Sequence, residues 1–479
     1  MVRVWTLSVT HPQESEVSVN VFLVYVAMDS PPHDGYSQGL GTISAVLKSK
    51  CHLVDYIVLK SARDVKALVE RCRTERPGVV AFSTTTTQFD YLKEICPALR
   101  VHYDGMMLCG GTHPTLCPEC IEEIPVLDAI VRGEGEYPML ELAAAIDAGE
   151  DPTSIRNIWF RRNGEIVKNE VRPLIEDLDE LPFADKESID FQAVINAASG
   201  NLRISLSRGC PFDCTFCSNK ALASVYSNKA RYFRVRSPHM AIEEIKRNEQ
   251  RFTFRTITFD DDLITLNRKW FHEFFERYAE NFAYPFVCNF RPGTVRNEEI
   301  LLLKKAGVKM VYVGVEHGHE EFRRRVLRRN MSNESIVATF DLLHEHGIPC
   351  HANLLVGFPH ESEGHFRETV RLSRRLGLSK DNPIGVFYPF PGTKLGEVCR
   401  ENRWMPVERK MKDIARATIE SPEFPKKRIF QCEQAFSMLL RYPLLPLQTP
   451  IPLLATLDSV YRFVRRVAGS PVRLDASLN

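Results

Sequence analysis

Three cysteines, Cys210, Cys214 and Cys217, fall within eight residues of the stretch Ser-Arg-Gly-Cys-Pro-Phe-Asp-Cys-Thr-Phe-Cys-Ser-Asn-Lys at 207–220. Thiolates are soft ligands that hold iron–sulfur clusters, and a [4Fe–4S] cube has four irons. Three cysteines leave one iron without a protein ligand, which suits binding and reacting a small molecule better than electron carriage alone. Zinc is the rival, because it also accepts cysteine and an open position. Its structural sites, however, bring two separated Cys or His pairs, and no partner pair follows this stretch. The odd count and the crowding exclude a disulfide reading.

The spacing Cys210-x-x-x-Cys214-x-x-Cys217, with Phe216 just before the third cysteine, resembles the signature of the radical S-adenosylmethionine (SAM) superfamily. The resemblance implies SAM bound to the open iron and cleaved by the reduced cluster to a 5′-deoxyadenosyl radical. It also implies an external one-electron reductant such as a flavodoxin or a ferredoxin.

A strand at 203–205 leads into the loop, and strand-length runs recur at 256–259, 286–290, 310–315, 352–357 and 384–387, with helical patterns between them. Six βα units predict a partial barrel with its site at the carboxyl ends of the strands. Polar groups stand there: Asp261 and Asp262, Arg291, Glu316 and Tyr388. By the resemblance, Phe216 and the backbone of Val356-Gly357 border adenine. Asp261 and Asp262 occupy the place of groups that meet the SAM amino group. Arg291 and Glu316 reach ribose, carboxylate or substrate, and Tyr388 is a substrate-side candidate.

The first third alternates in the same way. Apolar runs at 21–26, 53–59, 79–82, 106–108 and 129–131 are separated by helical patterns such as 39–48, 64–73 and 138–148. Continuous apolar strands between helices mean a parallel sheet covered on both faces, with ligands outside the carboxyl ends of its strands. Ser83-Thr84-Thr85, Gly110-Gly111-Thr112 and Gly133-Glu134-Gly135-Glu136 lie at those ends. This third is similar to the cobalamin-binding domain of the class B radical SAM methyltransferases, and the likeness implies that these residues bind cobalamin. The Asp-x-His-x-x-Gly motif that places a histidine on cobalt elsewhere is replaced by Asp29-Ser30-Pro31-Pro32-His33-Asp34-Gly35, so His33 reads as a loop histidine.

The expected fold is α/β. A doubly wound Rossmann-like cobalamin-binding domain spans 1–150, and a linker with a hairpin around Asn163-Gly164 spans 151–198. A partial (β/α)6 radical SAM barrel follows at 199–400, then a mostly helical C-terminal region at 401–479. Residues 174–185 read as an acidic extended connector, and 1–19 as an extension.

Across 479 residues the formal net charge is +1, which indicates no polyelectrolyte attraction to nucleic acid. Thirteen cysteines without a secretory signal point to a reducing cytoplasm. No run of about 18 apolar residues predicts a membrane span. Cys109, Cys117 and Cys120 read as apolar-strand and helix-start residues rather than a second metal site. The run Arg323-Arg324-Arg325 with Arg328-Arg329 reads as a solvated helix face, and 460–467 as a basic amphipathic segment packed on the barrel.

The reading that follows is a cobalamin-dependent radical SAM enzyme that methylates an unactivated carbon of a small-molecule or lipid-like substrate. Its alternative is an oxidative cyclase or rearrangement enzyme with a structural or vestigial cobalamin domain. A methylthiotransferase lacks support, because no cysteine occupies the loop after the first strand. A corrinoid-binding protein without enzymatic activity has no need of Cys210, Cys214 and Cys217.

Overall fold

In the computed structural model, which describes residues 19–406, 410–416 and 418–467, two largely parallel sheets follow one another along the chain. The N-terminal extension, 1–19, lies outside the described residues apart from its last position, Val19.

The first sheet holds β1 (Asn20–Val26), β2 (Leu53–Leu59), β3 (Val79–Ser83), β4 (Met106–Gly110), β5 (Ala129–Val131), β6 (Ile158–Arg162) and β7 (Glu165–Lys168), in the order β2-β1-β3-β4-β5-β6-β7. Pairing is parallel through β5 and antiparallel at β6 and β7. Successive side chains of a strand point to opposite faces. Phe22 and Val24 therefore pack with the helices Ala62–Glu75 and Thr86–Arg100, and Val21 and Leu23 with Gln38–Lys48 and Glu136–Ala148. The strand order reverses between β1 and β3, the place where open α/β sheets bind ligands.

The hairpin forms as expected, with Asn163 and Gly164 both at positive φ, as a two-residue I′ turn requires. It continues the first sheet instead of standing apart as a linker element. The helix Thr86–Arg100 carries no expectation above, because its polar first turn and internal Pro97 hide its pattern.

The second sheet joins β8 (Asn201–Ile204), β11 (Thr256–Phe259), β12 (Phe286–Phe290), β13 (Val308–Glu316), β14 (Cys350–Val356) and β15 (Gly385–Val386) in chain order, all parallel. Between β8 and β11, β9 (Ser207–Arg208) and β10 (Arg234–Val235) form a small antiparallel pair. Leu202, Ile204, Ile257, Phe259, Phe286 and Cys288 face the surrounding helices in one large core. The opposite face mixes polar residues with Val287, Met310 and Leu355. Thr258 stands beside Arg203 in register, and Asn289, Tyr312 and His351 form a row across three strands. A closed (β/α)8 barrel fills that face with Val, Ile and Leu; this half-barrel places hydrogen-bonding groups there as well, with Arg203 and Asn353 exposed.

The acidic connector is an interface layer. Ile175, Leu178 and Leu181 pack on Val46 of the first domain, and Asp179 accepts a hydrogen bond from Ser237 N of the second at 3.0 Å. The C-terminal region forms the helices Lys426–Arg441 and Ile451–Val467, the first buried against β14 and β15 through Ile429, Cys432 and Phe436. In the basic segment 460–467, the side chains of Val460 and of 463–467 lie outside the described residues. Among the described residues no helix is long and apolar enough to cross a membrane.

Candidate active site between the two sheets

The cysteine loop leaves the second sheet at the carboxyl end of β8. Gly209, at φ +82, makes the turn into it, and a Cβ there would lie 2.4 Å from Tyr232 O. Cys210 and Cys217 are half-buried and Cys214 is buried. Burial raises the Cys210 thiol pKa, and that of Cys217 to about 11. At these two positions burial favours the neutral thiol, and a metal or a cation nearby favours the thiolate.

Two guanidinium groups supply positive charge. Arg329 Nη1 donates to Cys214 Sγ at 3.4 Å, and Arg291 Nη1 approaches the same sulfur at 4.0 Å while stacking over the Phe212 ring. Arg329 also donates to Gly314 O, and its Nη2 lies 3.7 Å from Glu316 Oε1. A register irregularity between Gly314 and Glu316 and a left-handed φ of +70 at Glu316 aim this carboxylate toward the arginines. Burial raises the Glu316 pKa, while Arg329 and Arg291 draw it back down.

Phe216 packs edge-on to Phe358, ring centroids 5.5 Å apart. The backbone before Phe358 is pinned, since Gly357 N and Phe358 N both donate to Glu361 Oε2, at 2.6 and 2.9 Å. His317 Nδ1 accepts from His319 N at 3.0 Å, so its proton sits on Nε2, 3.4 Å from Glu361 Oε1. Val356 is fully buried in the core. Asp262 accepts from Asn219, two residues beyond Cys217, at 2.9 Å. Tyr388 is buried and leans on Phe390, ring centroids 5.0 Å apart.

Asp261 departs from expectation. Its carboxylate is buried and accepts from Leu206 N (3.0 Å), Ser207 N (2.6 Å) and the Ser207 hydroxyl. It is spent on holding the approach to the cysteine loop rather than facing the mouth of the barrel. Arg203 and Asp260, unremarked in the sequence, form a bidentate pair on the inner face, at 2.9 and 2.6 Å.

A cavity of about 480 Å³ opens at the β1/β3 reversal. Ser83, Thr84, Thr85, Gly110, Gly111, Thr112, Gly133 and Gly135 line it, together with Ala81, Gly39 and Thr42. Gly111, at φ +104, lies so close to β3 that a Cβ would sit 2.4 Å from Thr84 O. Small residues on both walls, hydroxyls at the rim and an apolar floor of Leu23, Leu108 and Val131 fit an aromatic nucleotide tail such as that of cobalamin. Ser205–Arg208 of the second domain closes the same cavity. His33 lies at a second cavity of about 420 Å³, with Arg203 and Asp260.

Glu134 and Glu136 carry ion pairs that the sequence did not show. Glu134 accepts from Arg208 (2.8 Å), Arg234 (2.9 Å) and Ile175 N (2.9 Å), and Glu136 from Arg208 (2.5 Å). Both residues line the cavity, and their carboxylates are paired with arginines of the second domain. The basic run differs from expectation. Arg323 is fully buried, donating to His317 O, Met331 O and Asn333 Oδ1, and Arg329 reaches the cysteines. The helix ends at Arg325, and the left-handed Arg328 turns the chain inward. Cys109 meets Thr84, and burial pushes its pKa up to about 12.

Comparison with known proteins agrees with this architecture. A B12 binding domain model matches residues 25–143, and a radical SAM superfamily model matches 204–373. An uncharacterized methyltransferase of Pyrococcus horikoshii is 26% identical over 341 residues, 71% of this chain and 72% of that protein. The anaerobic magnesium-protoporphyrin IX monomethyl ester cyclase of Rubrivivax gelatinosus is 29% identical over 338 residues, 68% of this chain but 59% of that protein. Among solved structures, the radical SAM methyltransferase TsrM of Kitasatospora setae shares the fold with a TM-score of 0.71 at 17% identity, over 94% of this chain and all of that one. The chain thus carries a B12 binding domain followed by a radical SAM domain. Its cofactors are a [4Fe–4S] cluster, SAM and cobalamin.

Proposed function

We propose that this radical SAM enzyme methylates an unactivated carbon of a polar small molecule, with Cys210, Cys214 and Cys217 holding the cluster. The observation that carries the reading is a shared wall: residues 205–208 close the B12 cavity and lead directly into the cysteine loop. When bound, the cluster with SAM supplies a carbon-centred radical for hydrogen abstraction, and cobalamin supplies the methyl group.

The chain's own residues position these parts. Arg329 and Arg291 compensate the negative charge of the thiolates. Glu316 and Asp262 offer carboxylates to the SAM ammonium, and Phe216 with the pinned Gly357–Phe358 backbone borders the adenine. Ser83–Thr85 and Gly110–Thr112 take the nucleotide tail of cobalamin. Arg203, Thr258, Asn289, Tyr312 and Asn353 line the inner face with hydrogen-bonding groups beside Val287, Met310 and Leu355, which favours a substrate with polar groups to pair over a bare lipid chain. Electrons come from a one-electron reductant of the flavodoxin or ferredoxin kind.

The cyclase relatives support a second reading, radical chemistry without methyl transfer. One experiment separates the two. The anaerobically reconstituted holoenzyme is given methyl-deuterated SAM, a reductant and candidate substrates, and 5′-deoxyadenosine and deuterium transfer are both followed by mass spectrometry. Deuterium in a product carbon supports methylation. Substrate-dependent 5′-deoxyadenosine without transferred deuterium sinks it and leaves cyclisation or rearrangement.

A further inference from the structure

We propose that Arg208 is a positioning residue that locks the B12 cavity to the cysteine loop through Glu134 and Glu136. The inference rests on the reading that both cofactors serve one reaction. Arg208 stands two residues before Cys210, and its two terminal nitrogens divide between two carboxylates of the other domain: Nη1 to Glu134 at 2.8 Å, Nη2 to Glu136 at 2.5 Å. Arg234, the cross-strand neighbour of Arg208 in the β9–β10 pair, holds the same Glu134 at 2.9 Å. Tyr226 adds a neutral contact, its hydroxyl accepting from Glu134 N at 2.9 Å.

These pairs are sheltered from water, with the side chains of Glu136 and Arg234 only 3% and 6% exposed. Shielded from solvent, such pairs are geometrically demanding, and a planar guanidinium bridging two fixed carboxylates sets a direction as well as a distance. From the other side, Asp261 grips Leu206 N and Ser207 N of the same segment. Residues 206–208 are thus held by the barrel on one face and by the B12 domain on the other. Glu134 and Glu136 flank Gly135 in the cavity wall, so a displacement of that wall is transmitted to Cys210. A lysine in place of Arg208 supplies charge but cannot span both carboxylates.

The test uses the full chain loaded with cluster and cobalamin, as wild type, Arg208→Gln, Arg208→Lys and the pair Glu134→Gln/Glu136→Gln. Iron and cobalt counts establish loading. Pulsed EPR then reads the magnetic coupling between the reduced cluster and cob(II)alamin, which reports their separation and its spread. Wild type is expected to give one narrow coupling. The variants are expected to keep both metals while the coupling shifts and broadens. Adding Arg208→Gln to the Glu134→Gln/Glu136→Gln pair should shift the coupling no further than that pair alone, because the pair already removes both contacts of Arg208. An unchanged coupling in Arg208→Gln overturns the proposal. If that variant fails to load, Glu136→Gln, which removes one arm and keeps the Glu134–Arg234 pair, decides by the same criterion. A wild-type chain that holds iron but no cobalt overturns the functional reading and the clamp with it, whereas cobalt with an unmoved coupling overturns the clamp alone.

Discussion

Arg329 Nη1 donates to Cys214 Sγ at 3.4 Å across 115 residues of sequence, while Nη2 of the same guanidinium faces Glu316 at 3.7 Å. One cation therefore faces the Cys214 sulfur, proposed to ligate the cluster, and a buried carboxylate together. Hydrogen bonds and positive charge at a cluster sulfur stabilise the reduced, more negative state. Arg329→Gln is expected to move the cluster potential to more negative values in an EPR-monitored redox titration, with iron content retained. It also strands Glu316, so urea unfolding of the apo chain should show a loss of about 3 kcal/mol. An unmoved potential would count against the Arg329–Cys214 contact.

Asp261 and Asp262 are neighbours with separate tasks. Asp261→Ala orphans the buried amides of Leu206 and Ser207, at a cost of about 1–3 kcal/mol for each donor left unsatisfied. Its expected signature is poor iron incorporation and a lowered Tm, because the approach to Cys210 loosens. Asp262→Asn keeps the partner Asn219 within reach and should take up iron normally, while SAM binding measured by equilibrium dialysis weakens. The reverse assignment of these two phenotypes would refute the division.

Gly111→Ala tests the cavity wall. The new methyl would sit 2.4 Å from Thr84 O on a backbone at φ +104. Cobalt content after desalting is expected to collapse while iron content holds. Gly149→Ala is the control: its φ is +67, but nothing lies within 4 Å, so only backbone strain of roughly 1 kcal/mol applies and cobalt should bind as in wild type.

Thiol chemistry distinguishes structural cysteines from available ones. Burial pushes the pKa of Cys109 and Cys399 up to about 12 and that of Cys117 to about 11. Below those values the thiol form dominates and the nucleophilic thiolate is scarce, so reactivity falls as pH drops. Brief iodoacetamide treatment of the apo chain at pH 8, read by peptide mass spectrometry, should modify exposed Cys51 and spare Cys109, Cys117 and Cys399. Rapid modification of Cys109 and Cys117 would reopen the question of a second metal site at Cys109, Cys117 and Cys120.

Much of the fold was legible because its signals are local. The apolar runs at 21–26, 53–59 and 79–82 became β1, β2 and β3, and the six runs after residue 200 became the six parallel strands of the half-barrel. A buried parallel strand must be apolar on both faces, and that requirement is written in consecutive residues. The helix Thr86–Arg100 was not legible, since Thr86, Thr87, Gln88 and Pro97 are buried or tolerated only by virtue of what packs around them. The hairpin at Asn163-Gly164 was clear as a turn, but the edge of β5 that receives it lies some 30 residues earlier.

The sequence by itself set the spacing of the three cysteines, the succession of strands along the chain and the small residues at the β3 and β4 ends, because covalent spacing and strand periodicity are fixed along the chain. Only the tertiary structure decided where the charged groups at those ends point. Glu134 and Glu136 turn to Arg208, more than 70 residues away, Asp261 turns to Ser207, and Arg329 leaves an apparent surface run for Cys214. A buried charge takes the partner that the fold brings within about 3 Å, and that choice depends on the packing of two domains rather than on any local pattern.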